Sequence, residues 1–454
     1  MNSLLQSSLA LLVLGVFCST AGAVEKPQTM EEMWKIIQAQ QKQIDAMSKN
    51  LEKVAKKPAT GDITELERKT EVLTEEVEKM RTEMVIPEEP EYKSQYGLGP
   101  AASKVYRVGR GLSIGAYGEA NYQAVVGDKD CSAQTGKGCN NADLERVVMY
   151  LGYKFTDNII LNSEIEFEHA TTGEGSEEKG EVSVEFAALD FFIDPMANIR
   201  AGMVLMPMGF INQIHEPPFF FGNNRPEVEK RIIPSTWREI GVGSFGEIIP
   251  DLTYTTYVVN GLNAGGFSSK GIRGGRQSGS KALAEDLAFV GRLDYAPSSV
   301  PGLSVGTSMY LGNSGQNQEY AGQKADAFTQ LYEAHAQWKY KGWELRALGS
   351  IGFIDDAGIL SAAKGQTIGK SNYGWYVEAG YDVLPLFLPD TTQYLAPFFR
   401  YEMYDTIASA PAGFKDDPFQ DQKIFQFGLQ YKPIPTVVIK ADYRNFTSPG
   451  YTPG

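Results

Sequence analysis

The sequence predicts an all-β transmembrane antiparallel barrel of about 16 strands, preceded by an N-terminal α-helical coiled coil. Three observations support this fold class. Residues 111–454 contain repeated extended segments in which apolar and ionised side chains alternate. Long polar loops and short turns alternate between these segments. Residues 24–86 instead carry apolar side chains at heptad spacing, which is typical of coiled-coil helices.

The alternation is clearest in a hairpin predicted at residues 332–351. Its apolar and aromatic side chains share one face, whereas Glu333, His335 and Arg346 lie on the other. A soluble sandwich would bury the apolar face in a shared core, but an outer-membrane barrel turns it to lipid and the charged face to a wet lumen. The aromatic residues beside the turn, among them Trp338 and Trp343, are placed for an interfacial girdle.

The N-terminus predicts export. The apolar stretch Leu9–Cys18 precedes small residues that end at Ala23, which indicates a signal peptide over residues 1–23. No later apolar run is long enough to predict a membrane-spanning helix. With 42 basic and 56 acidic side chains, the formal net charge is −14, which argues against a nucleic-acid partner.

Two cysteines remain after removal of the signal peptide. Cys131 and Cys139 are separated by seven intervening residues in a polar, glycine-rich loop. In an exported chain this arrangement predicts a disulfide that fixes the loop, and two unpaired thiols are the alternative.

The heptad pattern predicts a periplasmic coiled-coil segment over residues 24–86. Apolar residues recur every three or four positions in two stretches, about 30–54 and 63–84. Such a narrow seam needs a partner, which we expect to be another copy of the chain. A neighbouring protein or the barrel itself is the alternative, and peptidoglycan or a periplasmic protein could bind the coiled coil. Residues 87–110, rich in Pro, Glu and Gly, read as a linker.

The barrel domain, residues 111–454, is predicted strand by strand. The first strand covers 112–126, the second 147–155 and the third 161–168. Glu164, Glu166 and Glu168 share one face of the third strand, which favours a water-filled lumen. Further strands are expected at 182–194, 197–207, 238–248, 251–260, 286–296, 303–312, 327–340, 343–353, 373–383, 394–405, 423–432 and 436–445. The predicted strands number fifteen, whereas bacterial barrels usually have an even number of strands. Either a sixteenth strand escapes this pattern or is merged with a neighbour, or the sequence is truncated.

One insertion interrupts this rhythm between residues 200 and 247. Its prolines, five between Pro207 and Pro234, exclude paired strands. Its phenylalanines are expected to pack on the inner barrel wall, so that residues 208–237 narrow the lumen as a constriction.

The region of the insertion contains Arg200-x-Gly, Pro207-x-Gly, a Glu- and Arg-rich segment and the run Trp237–Gly241. These motifs resemble the family of phosphate-selective porins O and P, and the similarity covers most of 111–445. The resemblance implies a homotrimer of sixteen-stranded barrels in the outer membrane of a Gram-negative bacterium. It also implies that the third extracellular loop folds inward and that Arg and Lys line an anion-favouring pore.

The insertion contains charges of both signs, so neither an anion nor a cation preference follows from them. The predicted constriction residues are Arg225, Lys230, Arg231, Arg238, His215, Glu216, Glu227 and Glu229. Arg225, Lys230 and Arg231 are expected to face the pore. For Arg238, a structural pair with Glu239 or with an adjacent strand is an equal expectation. Outside the insertion, the expected lumen-facing residues are Glu164, Glu166, Glu168, Arg292, Asp294 and Arg346.

The predicted function is a porin for passive diffusion of small hydrophilic solutes and ions. No metal, cofactor or catalytic site is expected. The two Gly-x-Ser-x-Gly matches, at 111–115 and 302–306, lie in predicted strands and not at the strand-to-helix turn of a serine hydrolase. The alternatives are a barrel-anchored tether between outer membrane and cell wall, and a sugar-type porin, which Phe219–Phe221 would suit.

Overall fold

The computed structural model describes residues 93–126, 140–171 and 180–450, together with the helical residues Lys42 and Thr74. The signal peptide, the coiled-coil segment as a whole and the Cys131–Cys139 disulfide lie outside the described residues and stay predictions. The chain divides into two units, Met1–Pro90 and Glu91–Gly454. In the described part of the chain, no helix is long and apolar enough to cross a membrane.

The second unit is built on one large antiparallel sheet in which each strand pairs with its neighbours in sequence. The first eight strands are β1 (Gly111–Ala124), β2 (Asn140–Lys154), β3 (Ile159–Glu168), β4 (Val182–Asp194), β5 (Ala197–Leu205), β6 (Arg238–Ile249), β7 (Leu252–Asn260) and β8 (Leu287–Tyr295). The remaining ones are β9 (Leu303–Gly312), β12 (Thr329–Tyr340), β13 (Trp343–Ile354), β14 (Ser371–Tyr381), β15 (Tyr394–Ser409), β16 (Asp421–Ile434) and β17 (Val437–Thr447).

The segments outside the long strands contain short strands and helices. Two-residue strands, β10 (Glu319–Tyr320) and β11 (Gln323–Lys324), pair with each other. The helix α1 (Val228–Arg231) lies between β5 and β6, and α2 (Ala357–Lys364) lies between β13 and β14. A 3-10 turn, Ala102–Tyr106, precedes β1.

The sheet is rolled around the long connection between β5 and β6. His215 of this connection contacts Glu164 of β3, and Asn223, eight residues further on, contacts Asp442 of β17. Eight residues span at most about 28 Å. In a flat sheet, the twelve strand spacings from β3 to β17 would measure about 58 Å. The sheet must therefore curve until its third and last strands face each other across the connection.

The rolled sheet has a charged concave face and an apolar convex face, which we call the inner and outer faces. In β3, Asn162, Glu164 and Glu166 are buried on the inner face. On the outer face of β14, Trp375 and Val377 remain about 40% exposed. Strand periodicity enforces this sidedness, because successive side chains point to opposite faces.

The connections also differ between the two ends of the sheet. The seven at one end are mostly tight, such as residues 195–196, 341–342 and 435–436, and we call this the short-turn end. The seven at the other end are longer and include the connection between β5 and β6. Aromatic side chains gather beside the 341–342 turn, where Trp338 stacks on Tyr340 with ring centroids 5.7 Å apart. Loop asymmetry and aromatic placement thus follow the sequence prediction.

The fifteen predicted strands all form, but a sixteenth is not found among the described residues. No ladder joins β1 to β17 within the described chain. Because the strand number is odd, these two edge strands run in the same direction and cannot close the sheet with an antiparallel ladder. The described residues thus contain the fifteen strands that the sequence identifies, and the expected sixteenth strand stays a prediction.

The turn between β12 and β13 depends on a glycine. Lys341 and Gly342 both have positive φ, 48° and 86°, in the turn between β12 and β13. We expect Gly342→Ala to destabilise the protein by about 1–2 kcal/mol, since an L side chain is strained there. Tryptophan fluorescence during denaturation in detergent measures the change, because Trp338 and Trp343 flank the turn.

The matched control is Gly349→Ala in β13. A Cβ at Gly349 would meet only ordinary contact, 3.9 Å from Trp375 Cβ. Equal loss of stability in both variants would contradict the turn argument.

Candidate functional site

The candidate site is the loop of residues 206–237, here called the inserted loop, together with the inner face around it. Its apolar side chains, including Met206, Met208, Ile233 and Trp237, are almost fully buried. Asn212 joins the two ends of the loop. Its side-chain nitrogen donates to the carbonyls of Met206 (2.7 Å) and Trp237 (2.8 Å), and its oxygen accepts from Trp237 N (2.7 Å).

Cationic side chains of the inner face donate hydrogen bonds to carbonyl oxygens of the inserted loop. Arg346 on β13 donates to Phe219 O (2.9 Å), and Arg400 on β15 donates to Phe221 O (2.7 Å). The remaining bonds run from Arg292 to Gly209 O, from Arg400 to Asn224 O at 3.3 Å and from Lys440 to Gly222 O at 2.9 Å. Strands on several sides of the loop therefore hold its backbone, whose carbonyls lack partners in a ladder.

Acceptors on the inner face complete the attachment. Asp442 accepts from both the backbone and the side chain of Asn223, each at 2.7 Å. Glu402 accepts from the backbone nitrogen of Val228, the first residue of α1, at 3.1 Å. The backbone of the inserted loop is thus bound through both its donors and its acceptors.

His215 and Glu164 form a buried pair between the loop and β3. His215 Nε2 lies 3.0 Å from Glu164 Oε1, and both side chains are nearly inaccessible to water. Burial lowers the pKa of His215, but the charge of Glu164 and its hydrogen bond outweigh burial and raise it. The imidazole is therefore held in its protonated form more strongly than in water.

Two acidic residues of the predicted constriction are also buried in contacts. Glu216 accepts from the backbone nitrogen of Ala101 at 2.9 Å. Glu229 accepts from Tyr376 Oη (2.6 Å) and from Ile211 N (2.7 Å). Burial raises the pKa of Glu229. His215, Glu216 and Glu229 are at most 4% exposed, and their contacts attach the inserted loop to the residues around it.

Arg238 of β6 forms its ion pair not with Glu239 or an adjacent strand, as expected, but with the next strand but one. It pairs with Glu185 on β4 at 2.5 Å, and Glu239 instead accepts from Asn260 (2.6 Å) and Gln277 N (2.9 Å). Glu227 pairs with Arg231 at 3.2 Å and with Arg444 of β17 at 3.5 Å.

The residues expected to face a lumen lie on the inner face, mostly in ion pairs. Arg292 pairs with Asp294 (2.6 Å), and Arg346 lies 3.4 Å from Glu378. Glu166 pairs with Arg146 at 2.7 Å. Glu168, near the end of β3, is half-buried and borders the cavity described next.

A polar cavity of about 190 Å³ separates β1–β3 from part of the inserted loop. Arg225, Glu227 and Lys230 of the inserted loop line one side together with Arg273 of the connection between β7 and β8. The other side is lined by Glu119, Glu145, Arg146 and Glu168 of β1–β3. Glu119 and Glu145 both pair with Arg146, at 2.7 and 2.9 Å.

The lining of the cavity contains four cations and four carboxylates, but one of the cations has an unpartnered donor. Within the described residues, Arg225 Nη2 is buried without a hydrogen-bond partner. Burial, and then repulsion from Arg276, Arg225 and Arg231, lowers the pKa of Arg273 to about 9. At neutral pH its guanidinium still carries a charge. The cavity therefore holds positive groups that a bound anion could satisfy.

Sequence reasoning missed several of these residues. Arg273 and Arg276 come from the connection between β7 and β8, whose sequence predicts only a polar loop. Arg400 and Lys440 give no signal either, because their loop partners are distant in sequence. Asn212 gives none because two of its three partners are backbone carbonyls. The two glycine-flanked serines of the hydrolase-like motifs, Ser113 and Ser304, lie within β1 and β9, as expected. No metal-binding group of three or more His, Cys, Asp or Glu occurs in the described regions.

The fold and site define an all-β protein whose rolled sheet encloses a loop. No family model matches the chain. An uncharacterized protein of Aquifex aeolicus (strain VF5) is 41% identical over 379 residues, which cover 80% of this chain and 82% of the relative. The chain therefore belongs to the same family as the Aquifex aeolicus protein.

Among solved structures, the chain is similar to three outer-membrane proteins. OmpF of Salmonella typhi in complex with daunomycin gives a TM-score of 0.47 at 12% identity and covers 74% of this chain and 90% of that one. The outer membrane channel DcaP of Acinetobacter baumannii gives 0.46 at 13%, with 74% and 92% covered. OccAB3 of Acinetobacter baumannii gives 0.41 at 10%, with 75% and 93% covered.

The pair of His215 and Glu164 should make the stability of the inserted loop depend on pH. Because the pKa of His215 is raised in the folded protein, the pair stabilises the loop fully below about pH 6.5 and loses this contribution as pH rises through the raised pKa. We expect Glu164→Gln to lower the pKa of His215, since burial then acts unopposed by the strongest of the nearby charges, which also include Glu185 and Arg225.

The measurement is an NMR titration of labelled histidine in detergent, with His215→Gln to assign the signal among the three histidines. Glu168→Gln serves as the control, because Glu168 shares the strand and the face but does not touch His215. An unchanged His215 titration in Glu164→Gln would refute the pairing.

Proposed function

We propose that this protein is an outer-membrane porin, a barrel that encloses a water-filled channel for passive diffusion of small hydrophilic solutes and ions. The observation that carries the proposal is the sidedness of the rolled sheet. Its ionised side chains converge on the inner face, while large apolar side chains such as Phe427 and Leu429 stay about half exposed outside. Water could not stabilise so continuous an apolar surface, but hydrocarbon would.

The inserted loop would act as the constriction of this channel, over residues 208–237. It is held at carbonyl and amide groups by strands on several sides, so it can resist displacement by passing solutes. The long-loop end would face outward and the short-turn end the periplasm, as an asymmetric outer membrane requires.

A preference for small anions such as phosphate belongs to the same proposal. Arg225, Lys230 and Arg273 face the cavity, and Arg225 Nη2 lacks a partner there among the described residues. On the opposite side, Glu119 and Glu145 share Arg146 with Glu166, and Glu168 and Glu227 also line the cavity. The local field at a constriction decides selectivity, so the unpartnered guanidinium nitrogen of Arg225 would favour anions at this point of the path.

The assembly would be a homotrimer in outer-membrane lipid, with the N-terminal coiled coil in the periplasm. A channel of this kind needs no cofactor and performs no catalysis. The coiled coil could engage peptidoglycan or a periplasmic protein, and a pure tether would have the same attachment. The sugar-type alternative loses its support, because Phe220 and Phe221 are buried and Phe221 stacks on Phe398 with ring centroids 5.0 Å apart.

Planar-bilayer recordings test the proposal. The purified protein should give stepwise conductance, whereas a plugged tether gives none. In a KCl gradient, the triple variant Arg225→Gln, Lys230→Gln and Arg231→Gln should shift the reversal potential toward cations, because it removes positive charge at the constriction.

The matched control removes the same charge elsewhere, by Lys281→Gln, Lys324→Gln and Lys415→Gln in exposed parts of the long loops. This variant should leave the reversal potential nearly unchanged, since exposed distant charges are screened beyond about 8–10 Å. Equal shifts in both triple variants would remove the three residues from the pore.

A further inference from the structure

The segment Gln95–Tyr106, here called the docked segment, lies against the inner face although its composition predicted a linker. Leu98, Ala102 and Val105 are buried, at 4%, 4% and 1% exposure. The 3-10 turn at its end contacts β1, β2 and β3. The segment therefore occupies space that the rolled sheet encloses.

Two glycines form a groove for this segment. A Cβ on Gly115 of β1 would lie 2.5 Å from Ala101 O, and a Cβ on Gly152 of β2 would lie 2.5 Å from Val105 Cγ2. Neither position tolerates a side chain while the segment is docked. The groove also contains a polar attachment, because Asn162 of β3 donates to Ala102 O at 2.9 Å.

The segment is fixed near the short-turn end. Tyr106 Oη donates to Asp190 of β4 at 2.6 Å, and Arg200 of β5 donates to Tyr106 Oη at 3.2 Å and to Tyr96 O at 3.3 Å. Asp190 and Arg200 lie only a few residues from the turn between β4 and β5. Beside Tyr96 remains a cavity of about 650 Å³, which Gln213 of the inserted loop also lines.

The docked segment also touches the inserted loop directly. Ala101 N donates to Glu216 Oε1 at 2.9 Å, and a Cβ on Gly99 would overlap the same carboxylate oxygen. A Cβ on Gly97 would likewise lie 2.5 Å from Gln213 Nε2. The segment is thus in contact with the inner face on one side and with the proposed constriction on the other.

We propose that the docked segment is a releasable plug, which narrows the short-turn mouth of the channel and holds the inserted loop in place through Glu216. The chain N-terminal to the plug leads to residues 24–86, so a pull on that region would withdraw the segment and widen the path. This inference rests on the proposed porin function.

The test fills the groove without changing the segment. Gly152→Val should expel Val105, so that trypsin cuts the full-length protein after Lys104, and the single-channel conductance should rise about twofold because the path is wider. Cleavage is read by mass spectrometry and conductance in planar bilayers. The heat-modifiable mobility of the barrel on gels confirms that each variant folds.

Size complementation provides the control for specificity. Adding Val105→Gly to Gly152→Val should restore trypsin resistance and the original conductance. Gly349→Val, where a Cβ has room, should change neither. Leu98→Asp releases the segment by an independent route if Gly152→Val fails to fold or to release it, because an ionised side chain cannot stay in the apolar groove.

Each outcome bears on the inference. A segment that becomes cleavable while the conductance stays the same refutes the plug and leaves the porin intact. Protection of Lys104 in both Gly152→Val and Leu98→Asp makes the segment a permanent part of the fold and also refutes it. Absence of any current in the wild type and in a released variant refutes the porin function and, with it, this inference.

Discussion

The structure depends on hydrogen bonds from cationic side chains of the inner face to carbonyl oxygens of the inserted loop. A loop with five prolines cannot form a strand ladder, so its buried carbonyls need other donors. Arginine suits this role because one guanidinium offers five donors in a fixed plane. Arg400 shows the arrangement fully. It donates to two loop carbonyls and also to Glu378 and Gln426.

This arrangement also determines which charges remain for function. Arg292, Arg346 and Arg400 are each paired with a carboxylate and bonded to the loop, so they add little uncompensated charge to the enclosed space. Removal of one partner from such a buried pair is costly, typically about 3–5 kcal/mol, because the other charge stays buried. The functional charges are therefore those outside this framework, chiefly Arg225, Lys230 and Arg273.

The sequence was sufficient to predict the strands because a strand between water and hydrocarbon must alternate, and this period of two is visible locally. The predicted strands differ from the observed ones at their ends. β2 begins at Asn140, seven residues before the predicted start, because polar residues can continue a ladder beyond the apolar band. The polarity of Glu164 and Glu166 also identified the inner face correctly.

The attachment of the inserted loop and the docked segment could not be predicted in the same way. Arg292, Arg346 and Arg400 bind carbonyls that are 83, 127 and 179 residues away, and a carbonyl has no residue signature. The glycines of the docked segment make its sequence resemble a flexible linker. In the structure, Gly97 and Gly99 instead permit close contact with Gln213 and Glu216. Only the fold reveals the glycines that form its groove.

We expect the outer face to meet hydrocarbon while the inserted loop lies inside the rolled sheet. Two native tryptophans test it, since Trp375 lies exposed on the outer face and Trp237 is fully buried in the loop. Single-tryptophan proteins that keep one or the other are reconstituted in bilayers whose acyl chains carry bromine, which quenches nearby indoles. We expect bromine to quench the fluorescence of Trp375 strongly and that of Trp237 almost not at all. Equal quenching of both, or an unquenched Trp375, would contradict it.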